Sequence, residues 1–569
     1  MASAPNTLQQ PEIANPAGQS PWNRMDVLFL GLLILACGID IHKWLRLSYT
    51  PIEDAAMLLR YSLHLAQGHG IRWNIQDAPV DGATDFLYMV LTAMVSRVGH
   101  IGVIAASRVL NISAYLVSVL LIYTGSRAIF RSPAWLSFGA ALYMAAGPAV
   151  KMATGCFGAP VFACAGLISW YFASRYMQGK RSWSAAVCFS LAGLVTGLIR
   201  PEGVFLAGFF LLGLVYFCGW KQSGKAITAF VATFAILGGT YFVWHWHYFG
   251  YPLPNPFYLK GGGHIYTSSL VQSSINVSLM LAPVLPLLML GFLHPRSRRR
   301  TIAVLIPLAA FTSIWILLNN GNNHFMRFQF AAVPFVLFSL PAVLMDVQQA
   351  LSLPKWEALS GLQRRVLCVV YAAALVVAAA YFDRVILAGD MGDGMRTFAE
   401  RLAPYAPKGY TMAVTEAGQL PLYSDWRVID ALGLNDAWMA HHGERISTEY
   451  LDRSRPEIIM LHADGDVTEE MFKSILLGYL PDIDNIGGNY NFAMLSTYAR
   501  EHNYILAAAF SPSTCNYHIY YVRRDFPDSD AIVSLIRSHP YYFLDDGMLS
   551  RDVRDNILPP GYPCHADSR

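Results

Sequence analysis

The sequence predicts a polytopic α-helical membrane protein that ends in a soluble α/β domain. Three observations carry this. The 569 residues hold 54% apolar and only 14% charged types, where an ordinary globular protein has roughly 45–50% and about 25%. Twelve apolar runs punctuate residues 25–382. After residue 384 the pattern changes to short strand-like and helix-like stretches. A soluble enzyme of this length needs more charge to cover its surface. A net charge of +3 is too small to point to a nucleic-acid partner.

Residues 1–24 are rich in Pro, Asn, Gln, Ala and Ser and show no apolar face, so they read as a disordered cytosolic tail. Met25 to Trp44 is too long for a signal-peptide core and has no small-residue cleavage site behind it, so it reads as an uncleaved first span. The further runs lie near 86–98, 101–125, 133–150, 159–177, 184–199, 203–219, 226–246, 275–293, 301–318, 327–346 and 366–382. The basic clusters are Arg127/Arg131, Lys180/Arg181, Lys221/Lys225, Arg296 with Arg298–Arg300, and Arg364/Arg365. All of them fall on the cytosolic side only if 86–98 does not cross. That run is short and follows a polar stretch, so it is expected to lie on the outer face as an interfacial helix. Eleven spans follow, with the N-terminus inside and the C-terminus outside.

The expected organisation is a 25–383 membrane domain, with outer loop 48–100, and a 384–569 extracytoplasmic domain. The latter shows strand-like runs at Thr411–Val414, Glu457–His462, Tyr504–Phe510 and Tyr517–Val522, and helix-like runs at Thr397–Leu402 and Ala531–Ser538. Its length, about 185 residues, is ordinary for a domain. Six of the eight cysteines lie in or beside apolar runs and act as small hydrophobes. Cys515 and Cys564 have the compartment to pair.

Polar groups on the outer face carry the chemistry. Glu53 and Asp54 begin a helix-like stretch, Ala55 to Gln67, shortly after the first span. Two readings stand. Carboxylates suit a helix N-terminus, and adjacent carboxylates push their pKa values apart, which suits one of them to act as a general base. Gly68 and Gly70 read as a helix stop and a turn. Trp73 suits an interfacial anchor as well as a stacking surface. Arg200-Pro-Glu202-Gly joins two spans, and Arg200 either pairs with Glu202 or points to an anion. From Trp244 to Lys260 the prolines predict a shaped loop. His245 and His247 are two apart and share no helix face, which argues against a metal. Lys260 is the only cation there, a snorkelling group or a phosphate contact. Arg327 follows Asn319-Asn-Gly-Asn-Asn-His324-Phe-Met and enters a span, where a lipid phosphate is a natural partner. Glu416, Asp425, Asp430 and Asp436 sit near Gly and Pro as turn residues do.

The ordered set "ED…R-Y…GHG…WN", "RPEG", "YFGYPLPNPFYLK", "NNHFMRF" and "EAGQLPLYSDWRVIDALGLND" resembles the polyprenyl-phosphate-dependent glycosyltransferases of GT-C fold. Within that class it is most similar to the mycobacterial terminal arabinofuranosyltransferase group. The resemblance implies a bacterial inner-membrane enzyme with its site outside. The donor would be a single sugar, arabinofuranose favoured, on a polyprenyl phosphate. The acceptor would be a glycan or glycoprotein hydroxyl. It places the base on Asp54 or Glu53; the family commonly has two Asp here where this chain has Glu then Asp, and Asp54 is favoured. It places Lys260, Arg200 and Arg327 at the lipid phosphate. Arg60, Trp73, Asn74, Asp85, Tyr258 and His324 are candidate substrate contacts. The absence of a second carboxylate placed as a nucleophile favours inversion. No metal or other cofactor is required where cations neutralise the leaving group. A flippase or a scaffold are the rival classes; the spans show no repeated halves.

Overall fold

In the computed structural model, the described residues are 22, 24–46, 51–147, 149–179, 181–260, 263–319, 323–352, 360–363, 366, 370, 377, 395–442, 445–464, 490–513 and 516–538. The apolar runs become helices. Five are long and apolar enough to cross a membrane: Arg24–Leu45, Val103–Phe130, Trp220–Phe249, Pro295–Leu317 and Ala332–Ala350. Thr267–Leu281 and Leu285–Leu293 make a sixth if taken as one span; they bend by 93° where Pro283 and Pro286 interrupt the backbone ladder. Ala159–Met177 is packed on most sides within the bundle. Ala134–Ala145, Trp183–Ile199 and Glu202–Cys218 are shorter apolar helices. The expected run 133–150 breaks in two, with Ala149–Thr154 as its second piece. Residues 366–382, the expected last span, lie almost wholly outside the described residues, as do Cys515 and Cys564 and the tail.

Phe86–Gly99 has 14 residues and therefore spans about 21 Å, well short of the roughly 30 Å hydrocarbon core. Among the described residues, the basic clusters gather at one end of the bundle; Arg364/Arg365 and Lys180 lie outside the described residues. Arg127 pairs with Asp26 at 2.8 Å, Arg300 with Asp346 at 2.7 Å, and Lys225 donates to the Arg181 carbonyl at 3.3 Å. Arg299 and Arg300 also lie over the Phe217 ring. The C-terminal domain sits at the opposite end.

That domain is a five-stranded sheet of order β2-β1-β3-β5-β4. Its strands are β1 (Thr411–Val414), β2 (Arg427–Asp430), β3 (Ile458–Asp464), β4 (Tyr504–Ser513) and β5 (Asn516–Arg523). β2, β1 and β3 are parallel, and β5 runs antiparallel to β3 and β4. Alternation along the strands makes two apolar faces. Met412, Val414, Met460 and Tyr520 join the core shared with the membrane helices, whereas Ala413, Leu461, Ile519 and Tyr521 pack under the helix Tyr490–Glu501.

One side chain ties the two parts together. Arg60, on the helix Glu53–Gln67, is buried and gives its donors to oxygens on both sides. It reaches the carbonyls of Trp73 at 2.8 Å and Trp426 at 2.7 Å, the Asn74 Oδ1 at 3.2 Å, and the Pro421 carbonyl. Its guanidinium lies 4.8 Å from the Trp73 ring centre, and burial pulls its pKa down to about 10. Trp73 Nε1 and Asn74 Nδ2 both donate to the Val428 carbonyl, and Asn74 Oδ1 accepts from the Val428 N–H. Arg60, Trp73 and Asn74 thus form an interdomain clamp with their polar atoms committed to it.

Two expectations are corrected. Trp244–Phe249 is the end of a long helix, because the prolines begin only at 252; a second helix, Asn255–Lys260, starts with Pro256 in its first turn, where proline is tolerated. Strand β2 had no place among the expected runs, since only Val428 and Ile429, set between the polar Arg427 and Asp430, mark it.

The clamp makes a prediction. Arg60→Ala leaves three backbone carbonyls without their charged donor and should cost about 2–4 kcal/mol. Thermal unfolding in detergent should fall accordingly, with earlier proteolysis near residues 415–430. An unchanged melting temperature contradicts the clamp.

Candidate active site

The helix Glu53–Gln67 opens at Ile52, whose side chain gives no cap. Its first two side chains diverge. The Glu53 carboxylate accepts from the backbone N–H groups of Gly418 and Gln419, the latter at 2.9 Å, and so caps the helix Gln419–Ser424 of the other domain. The approach is close: a Cβ on Gly418 would fall 2.0 Å from the Glu53 carbonyl oxygen. Asp54 turns the other way and forms an ion pair with Arg327.

Arg327 follows the short helix His324–Met326 and is 7% exposed. Its guanidinium lies between two rings, 4.1 Å from the centre of Phe157 and 4.9 Å from that of Phe328. Burial lowers its pKa from the usual arginine value, with Asp54 the main opposing charge. Its Nη1 is buried and has no hydrogen-bond partner among the described residues. A buried donor left unmade carries a desolvation penalty of about 1–3 kcal/mol or more, which an anionic ligand relieves.

Arg200 stands beside it, 5.4 Å from the centre of the same Phe328 ring. It bonds Asp85 at 2.8 Å and Glu202 at 3.2 Å. Burial opposes its charge, but these two carboxylates outweigh it and hold its pKa above the usual range. Asp85 is itself raised by burial, against the pull of Arg200. The centre thus joins Asp54, Arg327, Arg200, Asp85 and Glu202 around Phe157 and Phe328. His324 borders it, with its ring 6.3 Å from Phe157.

Other expected residues lie elsewhere. Arg60, Trp73 and Asn74 belong to the clamp. Tyr258 packs edge-on to His441 at 4.4 Å, on the far side of the domain contact. The Lys260 side chain lies outside the described residues. His245 is buried and bonds Asp81 at 2.7 Å, while His247 is exposed, as their spacing implies.

Sequence reasoning missed Lys151. It is buried on the helix Ala149–Thr154, with its ammonium 4.2 Å from the Phe325 ring centre. The available signal was a lone cation in an apolar run. It also missed a cluster formed by Glu416, His462 and His518. Burial opposes charge on Glu416, yet the two imidazoles hold its pKa below the usual value. Burial pushes His518 down to about 3.

Among solved structures, the chain is similar to ArnT from Cupriavidus metallidurans. The apo form shares 12% identity over 87% of this chain and 97% of that chain, with a TM-score of 0.53. The form bound to undecaprenyl phosphate shares 14% identity with the same coverage and TM-score. A weaker likeness, TM-score 0.44 and 11% identity over 86% and 72% of the two chains, links it to an Archaeoglobus fulgidus oligosaccharyltransferase in complex with Zn and sulfate. A family model described as a domain of unknown function (DUF8728) matches residues 387–526. No curated protein matches the sequence. The near-complete overlap with ArnT gives the chain the GT-C fold, a polytopic helical membrane domain with a C-terminal α/β domain.

Gly158 tests the packing of the centre. A Cβ there would lie 2.7 Å from the Tyr88 ring and 2.8 Å from Asp85 Oδ2. Gly158→Ala should cost about 1–3 kcal/mol and loosen the Asp85–Arg200 pair. A melting temperature equal to wild type contradicts this packing.

Proposed function

We propose that the chain is a membrane glycosyltransferase that moves one sugar from a polyprenyl phosphate to an acceptor hydroxyl. The observation that carries the reading is the Asp54–Arg327 pair, with an Arg327 Nη1 beside Arg200 that has no partner among the described residues, on a fold shared with an undecaprenyl-phosphate-bound protein. A donor anchored in lipid needs its phosphate site at the membrane boundary, and buried arginines suit a phosphate there.

In this reading Asp54 accepts the acceptor O–H proton as the oxygen attacks the anomeric carbon. The bond from that carbon to the phosphate oxygen breaks, and its electron pair leaves with the polyprenyl phosphate. Arg327 and Arg200 stabilise the charge that develops there, with Lys151 as a nearby third cation and Lys260 as a further candidate. One displacement inverts the anomeric centre. The three cations leave no need for a metal at the leaving group. The sugar favoured is arabinofuranose, and the acceptor a cell-envelope glycan or glycoprotein. The reading places the site and the C-terminal domain on the outer face of a bacterial inner membrane, with the basic end of the bundle in the cytosol.

The two neighbouring carboxylates should separate in their effects. Asp54→Asn removes the charge that partners Arg327, so the variant should fold with a lower melting temperature and turn over about 10²–10⁴-fold more slowly. Glu53→Gln should lower the melting temperature alone, through the loss of a charged cap, about 1 kcal/mol. A panel of polyprenyl-phospho-sugars incubated with purified enzyme identifies the donor. Near-normal turnover in Asp54→Asn removes Asp54 as the base.

Arg327 gives an independent prediction. Arg327→Gln should weaken binding of a polyprenyl phosphate at least about tenfold, since hydrogen bonds to charged groups contribute about 1.5–3 kcal/mol. Arg327→Lys should recover only part of this, because a point charge does not reproduce the guanidinium fork. Native mass spectrometry of the enzyme with undecaprenyl phosphate reads both. Equal binding by the Gln variant places the phosphate elsewhere.

A further inference from the structure

We propose that Glu416, His462 and His518 bind one divalent transition-metal ion. Each offers one ligand atom, and the three atoms lie within 4.8 Å of one another. The contacts are His462 Nδ1 to Glu416 Oε1 at 2.9 Å and His518 Nε2 to Glu416 Oε2 at 3.6 Å. Ligands around a tetrahedral zinc at about 2.0–2.1 Å lie roughly 3.3 Å apart. The two imidazoles thus face the two oxygens of one carboxylate, and with all three ligand atoms inside 4.8 Å, side-chain rotations must close the set around an ion.

The sheet builds this cluster. His462 and His518 are direct partners in the antiparallel register of β3 and β5. β1 pairs with β3 on the other side, Val414 opposite Met460, and two residues further Glu416 comes level with His462. Three adjacent strands or strand ends therefore supply one ligand each in a row. All three lie on the sheet face that carries Val414, Met460 and Tyr520, the face packed against the membrane domain. This is also where the carboxyl ends of the parallel strands meet the antiparallel part, a usual place for a site in an α/β sheet.

The ligand chemistry selects the ion. Two imidazoles and one carboxylate suit zinc and its transition-metal neighbours, whereas magnesium and calcium prefer oxygen. His518 is fully buried and anchors the row, while Glu416 and His462 are each less than one-fifth exposed. Three protein ligands leave a fourth position for water or a substrate oxygen. A plain hydrogen-bonded His–Glu–His array is the bland alternative. The metal would fix the turn Glu416–Ala417–Gly418, whose last residue donates its N–H to Glu53. It would thereby hold the loop that sets the Glu53–Asp54 turn.

The test uses the purified full-length chain in detergent, stripped with chelator and dialysed against zinc, with bound metal counted by mass spectrometry. Wild type should retain one zinc per chain, as should the control His442→Ala. His462→Ala and Glu416→Gln should each bind at least about a hundredfold more weakly, since even outer-shell changes cost 10–100-fold. Melting curves without metal establish that the variants fold. Cobalt should give a visible-absorption signature of a four-coordinate site in wild type that is lost in His462→Ala. No retained zinc in folded wild type, or equal zinc in His462→Ala, overturns the proposal. Neither measurement needs a donor or an acceptor, so the outcome is independent of the transfer reaction.

Discussion

Arg327 is a guanidinium buried between two aromatic rings, and much of the polar end of the bundle answers to it. A charge removed from water needs partners. Asp54 supplies one, but only because the helix Glu53–Gln67 starts where its first turn faces the entry to Ala332–Ala350. Arg200 stands close by with two carboxylates of its own, so neither cation depends on the other's partner. The result is a compact centre of alternating charge at the boundary of the membrane helices. One arginine nitrogen there, Nη1 of Arg327, has no hydrogen-bond partner among the described residues.

The C-terminal domain is part of this arrangement. Adjacent residues divide the work: Glu53 caps a helix of the soluble domain while Asp54 pairs inside the membrane domain. Any shift of the docked domain is transmitted to Asp54 through one peptide unit. Arg60 strengthens the docking nearly two turns further along the same helix. A shared apolar core, running from the membrane helices into one face of the sheet, supplies the non-directional part of the contact.

Much of the fold was legible. Apolar composition and basic clusters foretell the bundle, its polar ends and the short Phe86–Gly99 helix. Strands rich in β-branched and aromatic residues, such as Asn516–Arg523, stand out, whereas Arg427–Asp430 does not, since two apolar residues between Arg427 and Asp430 carry little periodicity. For the centre, Asp54, Arg200 and Arg327 were recognisable as charges at span ends. The division between Glu53 and Asp54 was not, because it depends on which neighbour each side chain meets. Arg60, Trp73 and Asn74 look like ligand contacts in sequence for the same reason. The partners that occupy them, Pro421, Trp426 and Val428, are over 350 residues away. The Glu416–His462–His518 row was invisible because strand register, not sequence spacing, brings it together.

The central claim is that the phosphate of a lipid-linked donor binds at Arg327 and Arg200, beside Asp54. The most direct measurement is a cryo-electron-microscopy structure of the chain with a polyprenyl phosphonate analogue of the sugar donor, which cannot be cleaved. The account predicts the phosphonate within hydrogen-bond distance of Arg327 Nη1, with the Asp54 carboxylate facing the anomeric carbon. A phosphonate bound away from both arginines, with the Asp54–Arg327 pair undisturbed, would contradict it.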